Sequence, residues 1–413
     1  MTNLRKYSLL ILLGMAGGTI YDFPYIKYIF YNQLLSAMNI NNTQLGVLTT
    51  IYGVGCLVLY IPGGFLADHI SSKLSLTLSL IMTAILAIVF GLTLNFTISI
   101  VIWALLAFSS AFIFWSALIK AVRIVGGEKN GGRMYGIYYA ANGLSAALLN
   151  FFSLWIYGQS NNSKSGMLLA TFSMALVIGL IGILVFIFLP SEDEKTAERN
   201  TKVEFSQIKK ILRNPVVWLI SIIFFMTYSL FSGVSYLTPY LADVANISNQ
   251  MSSFLGIIRN YVFLLLAPLS GLIADRVFHS TLKWFVVGYI VLAFSLLALV
   301  FLKNLPIGMV IFLSLIPGML ALSLYGIQFS IIAESKLPLK LMGLITGFVS
   351  LVGYLPDLIL PTLYGKILDT NSVVGGYKKV FLFLTIFALV ASLFSWVIYK
   401  VNRKKQVEIG NRK

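Results

Sequence analysis

Long apolar runs separated by short polar segments occupy almost the whole chain. A helix that crosses a bilayer needs about 20 mostly apolar residues, because each residue rises about 1.5 Å through a hydrocarbon core roughly 30 Å thick. The pattern predicts twelve such helices, numbered here as spans one to twelve. They lie near residues 7–37, 44–66, 74–94, 97–120, 133–157, 166–189, 215–241, 251–274, 282–302, 306–330, 341–366 and 376–400.

The amino-acid composition supports a membrane protein. Hydrophobic residues make up 58% of the 413 residues and charged residues 11%, whereas an ordinary soluble domain is about 25% charged. A water-soluble fold is therefore excluded. The first apolar run follows Arg5 and Lys6, and no small-residue cleavage site comes after it. We therefore expect this run to be a span and not a signal peptide.

Membrane topology explains the formal net charge of +16. With the amino terminus inside, most lysines and arginines fall on cytoplasmic segments, and the external exceptions are Lys164, Lys303, Lys378 and Lys379. Because positive residues concentrate on cytoplasmic loops, both termini are predicted to be cytoplasmic. A soluble DNA-binding domain would cluster its positive charge on one exposed face, so no nucleic-acid partner is expected.

The longest hydrophilic stretch divides the spans six and six. It covers residues 191–214 and is predicted to be a cytoplasmic linker. Residues 1–190 are then an N-terminal six-helix bundle, and residues 215–413 are a C-terminal six-helix bundle with a short cytoplasmic tail. The predicted fold class is an all-α membrane protein.

The two halves also resemble each other in sequence. Gly64-Phe65-Leu66-Ala67-Asp68 ends span two, and Gly271-Leu272-Ile273-Ala274-Asp275 ends span eight. The two segments are 207 positions apart, and the same offset of 207 positions separates Gly136 in span five from Gly343 in span eleven. Many transporters are built from repeated halves. The bundles are therefore predicted to be pseudo-symmetric copies that arose by duplication.

The repeated segment carries a family resemblance. Residues 64–73 resemble the loop signature G-x-x-x-D-R-x-G-x-R of the major facilitator superfamily, although His69 and Ser71 stand where the family has Arg and Gly. The resemblance implies the twelve-helix major facilitator fold. It also implies that the motif residues help to hold the cytoplasmic side closed, with simple turn formation as the alternative. These gating candidates are Gly64, Asp68, Lys73, Gly271, Asp275 and Arg276.

A narrower resemblance rests on three short segments. They are residues 25–31, residues 43–46, and residues 115–120 leading into Gly132-Arg133. These segments are similar to bacterial permeases of the sugar-phosphate and organophosphate group. The resemblance implies an organic anion as substrate and a place in the bacterial inner (plasma) membrane.

Four ionisable residues lie inside predicted spans: Asp22, Lys27, Arg259 and Asp357. A charge at the bilayer centre costs about 2.5–3.5 kcal/mol or more, so such groups usually face a cavity or a partner. Lys27 and Arg259 are predicted to reach similar depth in spans one and eight, where they would bind an anion. The alternative is that these residues form buried structural ion pairs, in which Lys27 pairs with Asp357 or Arg259 pairs with Asp22.

The acids and three tyrosines are further candidates. Asp22 and Asp357 are predicted to carry a coupling proton, since burial favours the neutral carboxyl, or to form ion pairs. For Asp22, accepting hydrogen bonds that bridge helices is a third alternative. Tyr25, Tyr28 and Tyr228 are predicted to offer hydroxyls to a polar solute. Aromatic packing and anchoring at the membrane interface are the alternative for the tyrosines.

Motifs of other protein classes are absent from the sequence. It contains no G-x-x-x-x-G-K-[ST], G-x-S-x-G or H-E-x-x-H motif, so neither an ATP-driven pump nor a zinc or triad enzyme is expected. No cofactor is predicted. The expected partners are the lipid bilayer, a small-molecule substrate, and a coupling ion that is either a proton or a counter-transported anion. A monomer is expected.

Three functional hypotheses follow. The first is a secondary active transporter that moves an organic anion or phosphorylated metabolite by alternating access. The second is a proton-coupled transporter of a neutral sugar, metabolite or drug. The third is a membrane sensor that binds a solute without net transport.

Overall fold

The computed structural model describes residues 3–67, 70–112, 114–126, 131–190, 211–301, 305–335, 337 and 341–410. All regular structure in these residues is helical. Most of the predicted linker, residues 191–210, lies outside them. The helices of spans one to six are α1 (Asn3–Ile20), α2 (Lys27–Met38), α3 (Asn42–Ala67), α4 (Ser72–Thr93), α5 (Phe96–Ala107), α6 (Phe114–Gly126), α7 (Gly131–Tyr157) and α8 (Ser163–Phe188).

The second half continues in the same way. Its helices are α9 (Pro215–Gly233), α10 (Leu237–Asp243), α11 (Asn249–Asn260), α12 (Ala267–Arg276), α13 (Thr281–Phe301), α14 (Ile307–Ile327), α15 (Ser330–Glu334), α16 (Met342–Gly353), α17 (Pro356–Thr370) and α18 (Val373–Gly410). Within the described residues, ten helical segments are long and apolar enough to cross a membrane. Span one, which is divided between α1 and α2, and α7, which contains Asn142 and Asn150, complete the predicted twelve.

Short polar side chains begin several helices. At each of these positions the side chain accepts a hydrogen bond from a backbone N–H two or three residues later, which satisfies one of the donors left open at a helix start. The capping residues are Ser71, Asn95, Asn162, Asn214 and Ser248.

The described contacts group the chain into two compact units. Unit one comprises Met1–Arg199, Ile247–Val262 and Leu358–Asp369. Unit two comprises Asn200–Asn246, Phe263–Asp357 and Thr370–Lys413. Parts of spans eight and eleven therefore pack with the first six spans. The sequence-based division at residues 191–214 stays a prediction about the duplicated halves.

Unit one is built on long helix pairs, with α4 against α8, α1 against α7, and α2 against α11. Where α3 meets α17, a side chain on Gly46 would overlap the backbone of Pro361, and one on Gly365 would overlap the backbone of Asn42. Glycine lets the two backbones approach closely. In unit two, α13 packs against α18, and α9 packs against α18 and α16.

Candidate transport site

The four buried ionisable residues all lie at interruptions of spans. Residues 21–26 form turns between α1 and α2, and they contain Asp22 and immediately precede Lys27. Arg259 stands two residues before Tyr261, where α11 gives way to a short 3₁₀ segment. Asp357 is the second residue of α17, directly after the break that follows α16. Irregular backbone at membrane depth is tolerated where it is buried in protein or lines a cavity.

The break in span one is fixed by a buried tryptophan. Pro24 cannot continue a helix because its ring removes the backbone N–H donor. The Trp103 indole of α5 donates a 3.1 Å hydrogen bond to the Pro24 carbonyl oxygen. Its ring also packs against Phe23 and Phe90, at centroid distances of 5.9 and 5.2 Å. The interruption is thus a packed and hydrogen-bonded feature of unit one.

Polar side chains join α2 to α11 beyond this break. The Ser253 hydroxyl donates to the Ile29 carbonyl oxygen at 2.6 Å and accepts from the Gln33 amide at 2.8 Å. The Asn32 amide donates to the Asn249 side-chain oxygen at 3.2 Å. These contacts fix the register of the two antiparallel helices.

That register sets the depth of the two cations. Lys27 lies two residues from Ile29, towards the interruption of span one. Arg259 lies six residues from Ser253, towards the interruption of span eight. At about 1.5 Å per residue, the two positions differ by about 6 Å along the helix axes. The Arg259 side chain is fully buried and Lys27 is 4% exposed. Two buried cations therefore lie at neighbouring depths on adjacent helices of unit one.

Asp22 lies in a neutral polar environment. Its side chain is 2% exposed, and the groups that face its carboxylate are the Tyr261 hydroxyl and the Asn150 amide. One carboxylate oxygen, Oδ2, has no hydrogen-bond partner within the described residues. Arg259 is not among the groups that face Asp22 in the described part of the chain. The side-chain contacts thus join spans one, five and eight, and they do not form the Arg259–Asp22 ion pair.

Tyr25 and Tyr28 belong to an aromatic group on the same span. Their ring centroids are 5.1 Å apart, and Tyr25 also meets Tyr52 of α3 edge-on at 5.3 Å. The Tyr52 hydroxyl is 2.8 Å from the Ser110 hydroxyl. Ser110 lies in a π-helical turn, Phe108–Phe112, a distortion that often occurs at functional sites.

Unit two brings Tyr228 and Asp357 together. The Tyr228 hydroxyl of α9 donates a 2.6 Å hydrogen bond to Asp357 Oδ2. The two side chains are 6% and 4% exposed. Both residues were singled out from the sequence, but their direct contact was not anticipated.

Three more aromatic residues surround this pair. Tyr228 meets Tyr354 edge-on at 4.8 Å, and Phe231 stacks on Tyr325 at 4.2 Å with an interplanar angle of 18°. The hydroxyl oxygens of Tyr325 and Tyr354 are 3.4 Å apart. The four residues Tyr228, Phe231, Tyr325 and Tyr354 are called the aromatic cluster below. Sequence reasoning missed its last three members because each looks like an ordinary apolar position of a separate span.

The predicted gating residues are only partly described. Gly64 belongs to α3, and Asp68 lies outside the described residues. The Lys73 ammonium lies 5.0 Å from the centre of the Phe186 ring, which is cation–π distance. Asp275 and Arg276 end α12 and are exposed. A side chain on Gly271 would meet Ile327 at 3.9 Å, an ordinary contact, so close helix approach does not require glycine at that position.

Two acids that the sequence reasoning passed over cap the starts of helices that are distant from them in the sequence. Asp369, at the end of α17, accepts hydrogen bonds from Asn42 and Thr43 at the start of α3. Glu334, at the end of α15, accepts from the Ser280 hydroxyl at 2.5 Å and from the Leu282 N–H at 3.1 Å. Carboxylates are favourable at helix N-termini.

Comparisons with known proteins agree with this architecture. Inner membrane protein YihN of Escherichia coli (strain K12) is 24% identical over 416 residues, covering 98% of this chain and 99% of that protein. Inner membrane protein YqcE of the same strain is 25% identical over 387 residues, covering 92% and 91%. The structure of a bacterial homolog of the human lysosomal transporter Spinster, in an inward-facing and occupied conformation, matches with a TM-score of 0.75 at 14% identity over 96% of each chain.

The family assignment follows from the sequence profile. Residues 9–361 match the Major Facilitator Superfamily. The resemblance to the major facilitator superfamily and the twelve-span helical fold predicted from the sequence are thereby confirmed. The protein is a multi-pass inner-membrane transporter, and its chain belongs to the Major Facilitator Superfamily.

Proposed function

We propose that the protein is a secondary active transporter of a small organic anion, such as a phosphorylated metabolite, which Lys27 and Arg259 bind. The supporting observation is the burial of both cations at neighbouring depths in unit one, each next to an interruption of its span. Binding near interrupted helices at the membrane midplane is a recurring arrangement in secondary transporters.

The chemistry of the two side chains favours an oxyanion. A guanidinium offers a planar fork that matches phosphate or carboxylate, whereas an ammonium acts as a point charge. A buried charge is strongly destabilising unless an opposite charge or several hydrogen bonds compensate it. A transported anion would take over that compensation during part of the transport cycle.

Transport by reconstituted protein tests the proposal. Proteoliposomes would be loaded with phosphate esters, carboxylates or neutral sugars, and counterflow would be measured for wild type, Lys27→Gln and Arg259→Gln. Loss of a charged hydrogen bond of about 2–3 kcal/mol predicts an apparent affinity for the anion about 30- to 150-fold weaker in each variant. Lys366→Gln, which removes an exposed lysine of α17, is the matched control and should leave transport unchanged.

Two results would refute the proposal. One is anion counterflow that persists in both variants, and the other is equal loss of transport in Lys366→Gln. Binding measured in detergent separates transport from sensing, because a sensor would bind the anion without producing counterflow.

Proton-coupled transport of a neutral sugar, metabolite or drug is the second candidate function, and the surroundings of Asp22 favour it. A deeply buried carboxylate that faces only neutral groups among the described residues can exist as the acid or as the anion without breaking an ion pair. The Tyr261 hydroxyl and the Asn150 amide can bond to either form.

Replacement of Asp22 with Asn tests this second function, because the amide cannot take up a transported proton. Uptake driven by a pH gradient should be lost while solute exchange at equal pH persists. Asp243→Asn is the matched control, since Asp243 lies just beyond the end of span seven, where it is hydrogen-bonded to Tyr377. Gradient-driven uptake that survives Asp22→Asn would exclude Asp22 as the proton carrier.

A further inference from the structure

We propose that a pocket at the predicted external ends of four helices of unit two binds an anionic phospholipid of the surrounding bilayer. The lipid phosphate contacts the Lys378 ammonium, and part of one acyl chain lies between the apolar walls. The proposal concerns unit two alone, and it does not depend on which solute the protein transports.

The pocket has the size and the lining of a ligand site. Its volume is about 440 Å³, within the range of about 300–1,000 Å³ that is usual for small-molecule sites. Its walls come from α10, α13, α14 and α18, and they include Tyr240, Leu299, Val310, Lys378 and Phe381. Each of these residues lies within about two turns of a predicted external helix end. The pocket is therefore expected near the membrane interface.

Aromatic packing holds one wall of the pocket in place. The Tyr240 ring meets the rings of Tyr377 and Phe381 edge-on, at centroid distances of 5.7 and 5.0 Å. The Tyr377 hydroxyl donates a 2.5 Å hydrogen bond to the Asp243 carboxylate. These contacts join α10 to α18, so Tyr240 is positioned before any ligand binds.

The lining combines one positive charge with apolar walls. Lys378 is half-buried, and no acidic residue of the described chain lines the pocket with it. Asp243, on the neighbouring α10, accepts from Tyr377 and is not a lining residue. An ammonium attracts a phosphate as a point charge, and the apolar walls match a hydrocarbon chain. An amphipathic anion satisfies both parts of the pocket.

The rim of the pocket lies on an apolar surface. Ile307 and Val374 line the pocket and are 56% and 54% exposed. Phe301 and Val373, which are also exposed, extend the apolar surface at the ends of α13 and α18. In a membrane-spanning bundle such a surface is covered by lipid. A ligand therefore enters from the bilayer, which favours a phospholipid over a water-soluble metabolite.

The placement of lysines in the sequence agrees with an anionic lipid. Positive residues are scarce on external segments of membrane proteins. Three of the four predicted external lysines, Lys303, Lys378 and Lys379, nevertheless belong to spans nine and twelve or to the segment that follows span nine. Lys303 lies outside the described residues. The positive-inside rule does not account for this external charge, whereas attraction to anionic headgroups does.

Snorkelling is the competing explanation for Lys378. A lysine near a helix end can extend its ammonium to the headgroup region while its stem covers apolar surface. This explanation treats Lys378 and the adjacent, exposed Lys379 alike and needs no pocket. The two explanations therefore differ in lipid selectivity and in the effect of the neighbouring lysine.

Native mass spectrometry of the purified full-length protein separates them. Delipidated protein would be titrated with phosphatidylglycerol, or with phosphatidylcholine that carries the same acyl chains. We expect wild type to bind the first phosphatidylglycerol about tenfold more tightly, and Lys378→Gln to lose this preference with the charged hydrogen bond. Lys379→Gln is the matched control, because Lys379 is exposed and is hydrogen-bonded to Asn371. The control should keep the preference.

A second variant tests the apolar part of the pocket. Ala245 lines the pocket, and the ring of Ala245→Phe would fill space assigned to the acyl chain. Displacement of about two buried methylene groups should weaken binding of both lipids about tenfold. Unfolding temperatures measured in lipid-free detergent distinguish lost binding from lost folding. Lys378→Gln, at a partly exposed position, tests the proposal independently of this variant.

Four results would overturn the proposal. A preference for phosphatidylglycerol that survives Lys378→Gln would leave snorkelling as the explanation. An equal loss in Lys379→Gln would show that general surface charge attracts the lipid. Oleate binding that depends on Lys378, without binding of phosphatidylglycerol, would assign the pocket to a free fatty acid. A lipid-free dimer that Ala245→Phe disrupts would assign the pocket to a second copy of the chain.

Discussion

Replacement of Asp369 with Asn should loosen the contact between the end of α17 and the start of α3. One carboxylate oxygen accepts from the Asn42 N–H at 3.1 Å and from the Asn42 side-chain amide at 2.7 Å. The other accepts from the Thr43 N–H at 2.7 Å and the Thr43 hydroxyl at 2.6 Å. Asparagine keeps one acceptor oxygen, so the charge and the bonds to one oxygen are lost.

The size of the effect follows from these bonds. A hydrogen bond to a charged group contributes about 1.5–3 kcal/mol, and exposure of the pair lowers that figure because water competes and screens. The loss of a helix cap costs about 0.5–2 kcal/mol. We therefore expect a destabilisation of about 1–2 kcal/mol, which changes the population of the closed contact roughly 5- to 30-fold.

Cysteine labelling measures this change directly. Thr50 lies about two helical turns from the contact, with its hydroxyl 2.8 Å from the Thr362 hydroxyl. In a Cys56→Ser background, which removes the single native cysteine, a Thr50→Cys reporter should react about 5- to 30-fold faster with a water-soluble maleimide when Asp369 is replaced. Asn371→Ala, directly after the end of α17, is the control and should leave the labelling rate unchanged. Equal labelling rates before and after the Asp369→Asn substitution would show that the bonds do not hold this contact closed.

Two further substitutions probe packing within unit one. Gly46→Ala places a methyl group against the Pro361 carbonyl. Overpacking of about 1–3 kcal/mol should weaken the contact between α3 and α17 and accelerate labelling of the Thr50→Cys reporter. An unchanged labelling rate would show that close approach of the two backbones does not hold the contact. Trp103→Phe leaves the buried Pro24 carbonyl without its donor, so the free energy of unfolding in detergent should fall by about 1–3 kcal/mol. Trp155→Phe, at an exposed position, is the control. An equal fall in the free energy of unfolding in that variant would show that the indole hydrogen bond to Pro24 is not the cause.

Hydropathy was sufficient to predict the spans but not their interruptions. The breaks at Pro24 and Pro356 lie inside longer runs of mostly apolar residues, so the hydropathy pattern predicts a single span across each of them. Proline indicates a weak point in a helix. Whether the chain breaks there depends on partners such as Trp103, which lies far along the sequence.

The candidate site shows the same limit. Intramembrane charges are conspicuous in a sequence because they are rare, and this is how Lys27 and Arg259 were found. Aromatic residues are common in spans, so Phe231 and Tyr325 gave no signal until the fold placed their rings together. Asp369 was likewise overlooked, because an acid near a predicted loop looks like ordinary solvated surface.

The interruption of span eight has a mechanical consequence. An unbroken helix over Asn249–Arg276, 28 residues, would be a stiff rod about 42 Å long. The chain instead passes from unit one to unit two after Val262, inside the 3₁₀ segment that divides the rod. A stretch of 3₁₀ structure within a span often marks a hinge, so span eight is less stiff at Val262–Leu266 than an unbroken helix would be. Arg259 stands in the last turn of α11, directly before this less stiff part of the span.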